Sequence, residues 1–386
     1  MRAQAVATLV LWALVGACGS ARGESRSAQI TVPTRTAVPS ATAPGAISSG
    51  NPAGPTPLPL PPSLPQNHRP FSGRLVIITY DPQQTSASPY IAAIDLAQNT
   101  LTPLWVAPQG GWIGDMALSN DGGELALVYS PPTSPLASGY PGIFLLPGRC
   151  LNGDCDGVSP APLVPPVEGE SFFAPSWSPD GTWVYFTHVT LSAATNSPEY
   201  NIERVPAAGG QPERVVPLAT WPQLSPDGRT LAFVAFDFAQ NLNDLFLAAP
   251  DGTGAFPLLP IGTFQSVDAP VFSPDGQEIY FSATGPGPGQ SSSPPPLRLS
   301  WLERLMGVQV AFANGAPSDW WRIPTAGGEP TQLTDIGGVG LSGAFSPDGQ
   351  EFATISYSGA GIMRPDGTDL VWIYGGAAIG SVIWQP

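Results

Sequence analysis

The strongest constraint on this chain is a tetrapeptide and what flanks it. Ser178-Pro179-Asp180-Gly181 lies between Ala-Pro-Ser-Trp on one side and Thr-Trp-Val-Tyr-Phe-Thr-His188 on the other. Pro presets φ, Asp bonds its own backbone, and Gly takes the left-handed conformation that closes a tight hairpin. The flanks are apolar, aromatic and β-branched, as strands buried on both faces are. The same pattern recurs around Asp227, Asp275 and Asp348, and more loosely around Asp121 as Ser-Asn-Asp-Gly. Successive intervals of 59, 47, 48 and 73 residues describe one supersecondary unit repeated with insertions.

Ser-Pro-Asp-Gly between an aromatic and an apolar strand resembles the TolB-like propeller repeat, a relative of the WD repeat, over most of residues 71–386. The resemblance implies an all-β fold, a six-bladed β-propeller of four-stranded antiparallel blades with strands a to d running outward from the axis. It implies no single activity, because propellers host binding, scaffolding and catalysis alike. Blades two to six fall at Ile113–Pro165, Phe172–Pro217, Thr220–Pro260, Val267–Thr334 and Gly340–Tyr374. The segments 74–80, 90–96 and 101–107 read as strands b, c and d without an a, and 381–386 reads as an a without its turn. Pairing of this C-terminal strand with the N-terminal blade closes the ring and removes the open edges.

Residues 1–17 read as a secretory signal, with one positive charge and a short apolar run, too short to span a bilayer as a mature helix. Val15-Gly16-Ala17-Cys18 is similar to a bacterial lipobox, which makes Cys18 the lipidation site and the membrane contact a lipid anchor only. Residues 18–70, dominated by Ser, Thr, Ala, Gly and Pro, read as a disordered stalk, because such composition cannot offset ordering entropy. Residues 71–386 read as the propeller. The expected location is extracytoplasmic, lipid-anchored to the cell membrane, as a monomer.

The chain contains no Lys, and beyond residue 70 it sets 28 acidic residues against nine arginines. That balance argues against nucleic acid and against direct binding to anionic lipid. Two cysteines five apart, Cys150 and Cys155, form a small disulfide ring in an oxidising compartment. Asn152-Gly-Asp154-Cys-Asp156-Gly157 has the start of a calcium loop, but Leu163 stands where the bidentate Glu belongs. No cofactor is expected, with calcium as the alternative.

In this topology the a–b and c–d turns share one face and the b–c and d–a connections the other. The b–c connections are the long ones, above all 284–319, so the binding face is expected there. Within it, residues 297–306 have the spacing of a short amphipathic helix. Trp301, Leu302, Asp319, Trp320 and Trp321 are its candidate binding residues; folding of this segment onto the mouth of the ring is the competing reading. Asp115, Glu170 and Asp268 each fall just before an inner strand and are the carboxylates that could converge on the channel mouth. His188, the only His after residue 70, closes a strand b on the same face. No nucleophile elbow or zinc spacing is present. The favoured function is a non-catalytic binding or scaffold module for a protein, peptide or cell-wall component. The alternative is a carboxylate-dependent polysaccharide hydrolase or lyase with its site at the channel mouth.

Overall fold

A computed structural model describes residues 58–59, 70–80, 88–132, 140–191, 197–237, 242–285, 287 and 316–386. Six antiparallel sheets form a six-bladed β-propeller. Blade one combines β2 (Arg74–Thr79), β3 (Tyr90–Asp95) and β4 (Thr100–Val106) with β25 (Ala378–Gln385) as its inner strand. Blade two holds β5 (Trp112–Leu118), β6 (Glu124–Ser130), β7 (Gly142–Pro147) and β8 (Ala161–Val164). Blade three holds β9 (Ser171–Trp177), β10 (Trp183–Leu191), β11 (Pro198–Pro206) and β12 (Glu213–Pro217). Blade four holds β13 (Ala219–Leu224), β14 (Leu231–Asp237), β15 (Leu242–Ala248) and β16 (Phe256–Pro257). Blade five holds β17 (Ser266–Phe272), β18 (Glu278–Thr284), β19 (Asp319–Pro324) and β20 (Thr331–Gln332). Blade six holds β21 (Ser342–Phe345), β22 (Phe352–Ser356), β23 (Gly359–Met363) and β24 (Val371–Tyr374).

The ring closes as the repeat requires. Leu75 pairs with Trp384, Val76 with Ile383 and Ile78 with Ile379. Inside the stretch read as stalk, β1 (Leu58–Pro59) pairs with Leu101 and Thr100 and so adds a fifth strand outside β4. β4, seven residues long, leaves its outer edge open, and even a Pro-containing segment can occupy it.

Blade faces are buried on both sides, so the period-two alternation sorts residues between two neighbours rather than between core and water. Leu75 and Ile77 pack with Ile355 and Ala360 of blade six, whereas Val76 and Ile78 pack with Ile113 and Leu125 of blade two. The remaining four interfaces repeat this arrangement. Polar bonds cross the interfaces as well. The Thr79 hydroxyl meets that of Tyr374, Trp177 Nε1 donates to the Ala117 carbonyl, and Trp221 N–H donates to Thr187 Oγ1. Asn243 Nδ2 donates to the Val267 carbonyl and Trp320 Nε1 to Thr354 Oγ1.

The five repeated turns share one hydrogen-bond network. Ser119, Ser178, Ser225, Ser273 and Ser346 each donate to Oδ1 of the Asp two residues on, at 2.6 Å. Each Ser Oγ also accepts the backbone N–H five residues on. The Gly at the corner takes φ between 69° and 72°. The Ser hydroxyl is therefore the hub, a role that a reading of Pro, Asp and Gly alone leaves out. These bonds hold the five Asp carboxyls below their ordinary value. A depressed carboxyl stabilises the fold above the unfolded value, and that contribution is lost as pH falls through the folded one. Ser273→Ala is expected to cost about 1 kcal/mol at neutral pH, measured by urea unfolding, and the deficit should shrink as the pH is taken below the ordinary Asp range. A deficit independent of pH would show that the hydroxyl does not act through Asp275.

Five of the six inner strands are bulged against their partners. Ala174, Trp221 and Ala269 take φ of 49°, 58° and 48° at the bulges of β9, β13 and β17. Such conformations cost a non-Gly residue on the order of 1–3 kcal/mol and persist where packing over-determines them. Here each bulge bends the strand nearest the axis.

Candidate binding face and channel mouth

The b–c connections and d–a segments lie on one face, called here the loop face; the Ser-Pro-Asp-Gly turns define the turn face. Among the described residues eight large apolar side chains are exposed. Six of them, Val106, Trp112, Val167, Leu191, Leu218 and Ile261, stand at strand ends or d–a segments of the loop face. The other two are Phe256, at the start of β16 on the turn face, and Trp372, on the outer strand β24. The described arginines, 74, 149, 204, 214, 229, 322 and 364, all lie in the turn-face half of their blades. These six apolar side chains and the described arginines thus stand on opposite sides of the ring.

Aromatic side chains frame the inner rim of this face. Tyr80 lies beside Trp112, and burial, with the charges of nearby Tyr80 and Asp115, pushes the Tyr357 hydroxyl far up. Across the ring Phe173 meets Trp221 edge-on at 5.4 Å. None of these residues is signalled by the repeat. Aromatic residues at the loop-face ends of the inner strands and of the second strands are the pattern that could have found them.

The three candidate carboxylates do not stand as an isolated acid–base pair. Asp115 and Asp268 lie within inner strands β5 and β17, not before them, and are only 4% and 5% exposed. Both strands start earlier than the turn spacing indicates, because the bulges add residues. Asp115 accepts the N–H of Met116 (2.9 Å) and Ala174 (2.8 Å) and the Ser381 hydroxyl (2.7 Å). Burial pushes its carboxyl up and these bonds pull it back. It thus clamps the inner strands of blades one, two and three. Asp268 sits in blade five, opposite in a ring of six, where burial pushes it well above the usual carboxylate range against the bond that the Ser266 hydroxyl donates at 3.2 Å. Glu170 meets His188, with Oε2 2.8 Å from Nε2, and Glu203 lies on the other side of that imidazole. His188 is therefore half-buried between two carboxylates, not a surface residue, because β10 runs on to Leu191 past the end read from sequence.

Trp320 and Trp321 are corrected from surface anchors to core. They are 0% and 4% exposed, Trp320 packing toward blade six and Trp321 toward blade four. Both faces of β19 are covered by neighbouring blades, so adjacent residues are both inside. Asp319, at the start of β19, accepts the N–H of Ile336 (2.6 Å) and Gly337 (3.3 Å) and the Thr334 hydroxyl (3.1 Å), and fastens the segment leading to blade six. Trp301, Leu302 and Cys18 lie outside the described residues. Cys150 and Cys155 are disulfide-bonded, with Cys150 buried in the seam between blades one and two. In the calcium-like stretch, Asp154 pairs with Arg149 and Asn152 accepts a bond from Arg74. Among the described residues no group of three or more His, Cys, Asp and Glu side chains is placed to hold a metal ion, and no helix is long and apolar enough to cross a membrane.

No family model matches the sequence, and no curated protein matches it. Solved structures do. TolB from Acinetobacter baumannii is similar at a TM-score of 0.56 and 18% identity, covering 82% of this chain and 67% of that one. A putative TolB from Agrobacterium tumefaciens is similar at a TM-score of 0.48 and 17% identity, over 82% of this chain and all (100%) of the other. A puromycin hydrolase is similar at a TM-score of 0.50 and 17% identity, over 78% of this chain and only 47% of its own length. At such identities the likeness is one of fold. Repeat, blade count and likeness together define a TolB-like six-bladed β-propeller.

Proposed function

We propose that this chain is a non-catalytic binding propeller, acting outside the cytoplasm as a monomer held to a membrane by a lipid on Cys18. Its loop face engages a protein, peptide or cell-wall component. The observation that carries this reading is that, of the eight large apolar side chains exposed among the described residues, six stand on that face. The Cys150–Cys155 disulfide supports an oxidising compartment. The carboxylate-dependent alternative draws less support, since Asp115, Glu170 and Asp268 each serve a different set of neighbours.

Site-specific photo-cross-linking in cells tests the proposal. Probes at Val167 or Leu218 should give discrete adducts, and a probe at Asp180 on the turn face should not. The adducts should disappear when the neighbouring Ile261 and Val106 are replaced by Ser. Equal adducts from both faces, or none from the loop face, would remove the reading, and a Cys18→Ser protein that stays with the membrane would remove the anchor.

A further inference from the structure

The segment 165–170 crosses the loop face from β8 to β9 and carries Val167, 44% exposed. At its end, Glu170 Oε2 lies 2.8 Å from Nε2 of His188 on β10, and Oε2 of Glu203 on β11 lies 3.1 Å from Nδ1. The Nδ1 approach is off the hydrogen-bond line, an ion-pair contact, whereas the Nε2 bond is aligned. Phe172 of β9 stacks on the imidazole at 4.6 Å and 12°, and Asn201 faces His188 across the ladder. Blade two packs this side of the sheet with Ile143, Leu163 and Val164, all apolar. Glu170 and Glu203 are thus the charged groups acting on the ring. They face opposite nitrogens, so they cannot converge on one bound ion.

An imidazolium has two N–H donors and satisfies both carboxylates. A neutral imidazole has one donor and one lone pair, so either tautomer leaves one carboxylate facing a lone pair. Glu203 is fixed in the middle of β11. Glu170 precedes β9, outside the strand ladder, at the end of a segment that turns at Gly169 with φ of 82°.

We infer that Glu170, His188 and Glu203 form a proton-operated latch that holds segment 165–170 against blade three when the ring is charged and releases it when the ring is neutral. The latch stands on its geometry; only its consequence, a proton-controlled position for Val167, rests on the proposed loop-face function. Burial pushes the imidazole toward its neutral form, but Glu203 and then Glu170 outweigh it and leave the ring above its ordinary value of 6.5. A raised His stabilises the fold fully below the ordinary value, and that stabilisation is lost as pH rises through the folded one.

The chain has two histidines, His68 and His188, so NMR of the full-length protein with labelled His follows both rings. His188 should titrate at higher pH than His68. Hydrogen-exchange protection of residues 165–171, corrected for the intrinsic pH dependence of exchange, should fall across the same range. The loss should be on the order of tenfold per pKa unit of difference between latched and released states. Glu203→Gln should move the step to lower pH. A His188 that titrates at or below His68, or protection that stays flat through its titration, overturns the latch. No partner is present in this measurement, so its failure leaves the cross-linking result untouched, and the reverse holds.

Discussion

Removal of residues 378–386 abolishes cooperative unfolding. This stretch holds β25, in which Ala378, Ile379, Val382 and Trp384 are less than 10% exposed, and its loss uncovers the edge of β2. Fully burying one large apolar side chain is worth about 1.5–3 kcal/mol. Three such residues therefore approach the roughly 5–15 kcal/mol that a whole domain has in hand. An uncovered β2 also offers Leu75 to Ile78 as an unpaired apolar strand, a template for association. The truncated protein should show no thermal transition by circular dichroism and should run as aggregates. A peptide of residues 376–386 added in excess should restore part of the transition. A truncated protein that unfolds cooperatively within a few degrees of the parent would mean the ring does not depend on its closing strand.

Trp320→Ala lowers stability by about 3–5 kcal/mol, the range for truncating a large buried aromatic side chain. Trp320 is fully buried, meets Phe352 edge-on at 4.9 Å, and donates Nε1 to Thr354 Oγ1. The substitution leaves a cavity between blades five and six and a buried hydroxyl without its donor. Urea unfolding should show a lower midpoint at unchanged slope. The experiment also separates two views of the residue. A ligand anchor would lose binding and keep stability, whereas a core residue loses stability first; a deficit under about 1 kcal/mol would return Trp320 to the surface.

The contrast between these two sites shows what could be read from sequence. The closing strand was legible because the first three strands lacked an inner partner and the last lacked a turn, so only one pairing completed six blades. Trp320 was not, because Asp319-Trp320-Trp321 follows a long insertion and resembles the root of an exposed loop. Only the neighbouring blades show that both faces of β19 are covered. The turns were half legible: Pro, Asp and Gly have known conformational roles, while the Ser hub becomes visible once its hydroxyl is seen between Asp and an amide five residues away. Asp115, Glu170 and His188 were picked out as individual residues, but not their roles. Asp115 meets Ser381, far off in sequence and brought near by blade stacking, whereas His188 meets Glu170 and Glu203 through strand pairing within blade three.

The way the polypeptide enters the wheel has an orientational consequence. β2 begins at Arg74 beside Gln385, on the side of the Asp-bearing turns. Any tether fixed upstream of that point pulls on this underside. On the proposed membrane anchor, this underside, with its five Asp turns and the described arginines, faces the lipid head groups. The greasy rim built around Val167 and Leu218 then looks away from the bilayer, toward whatever diffuses past.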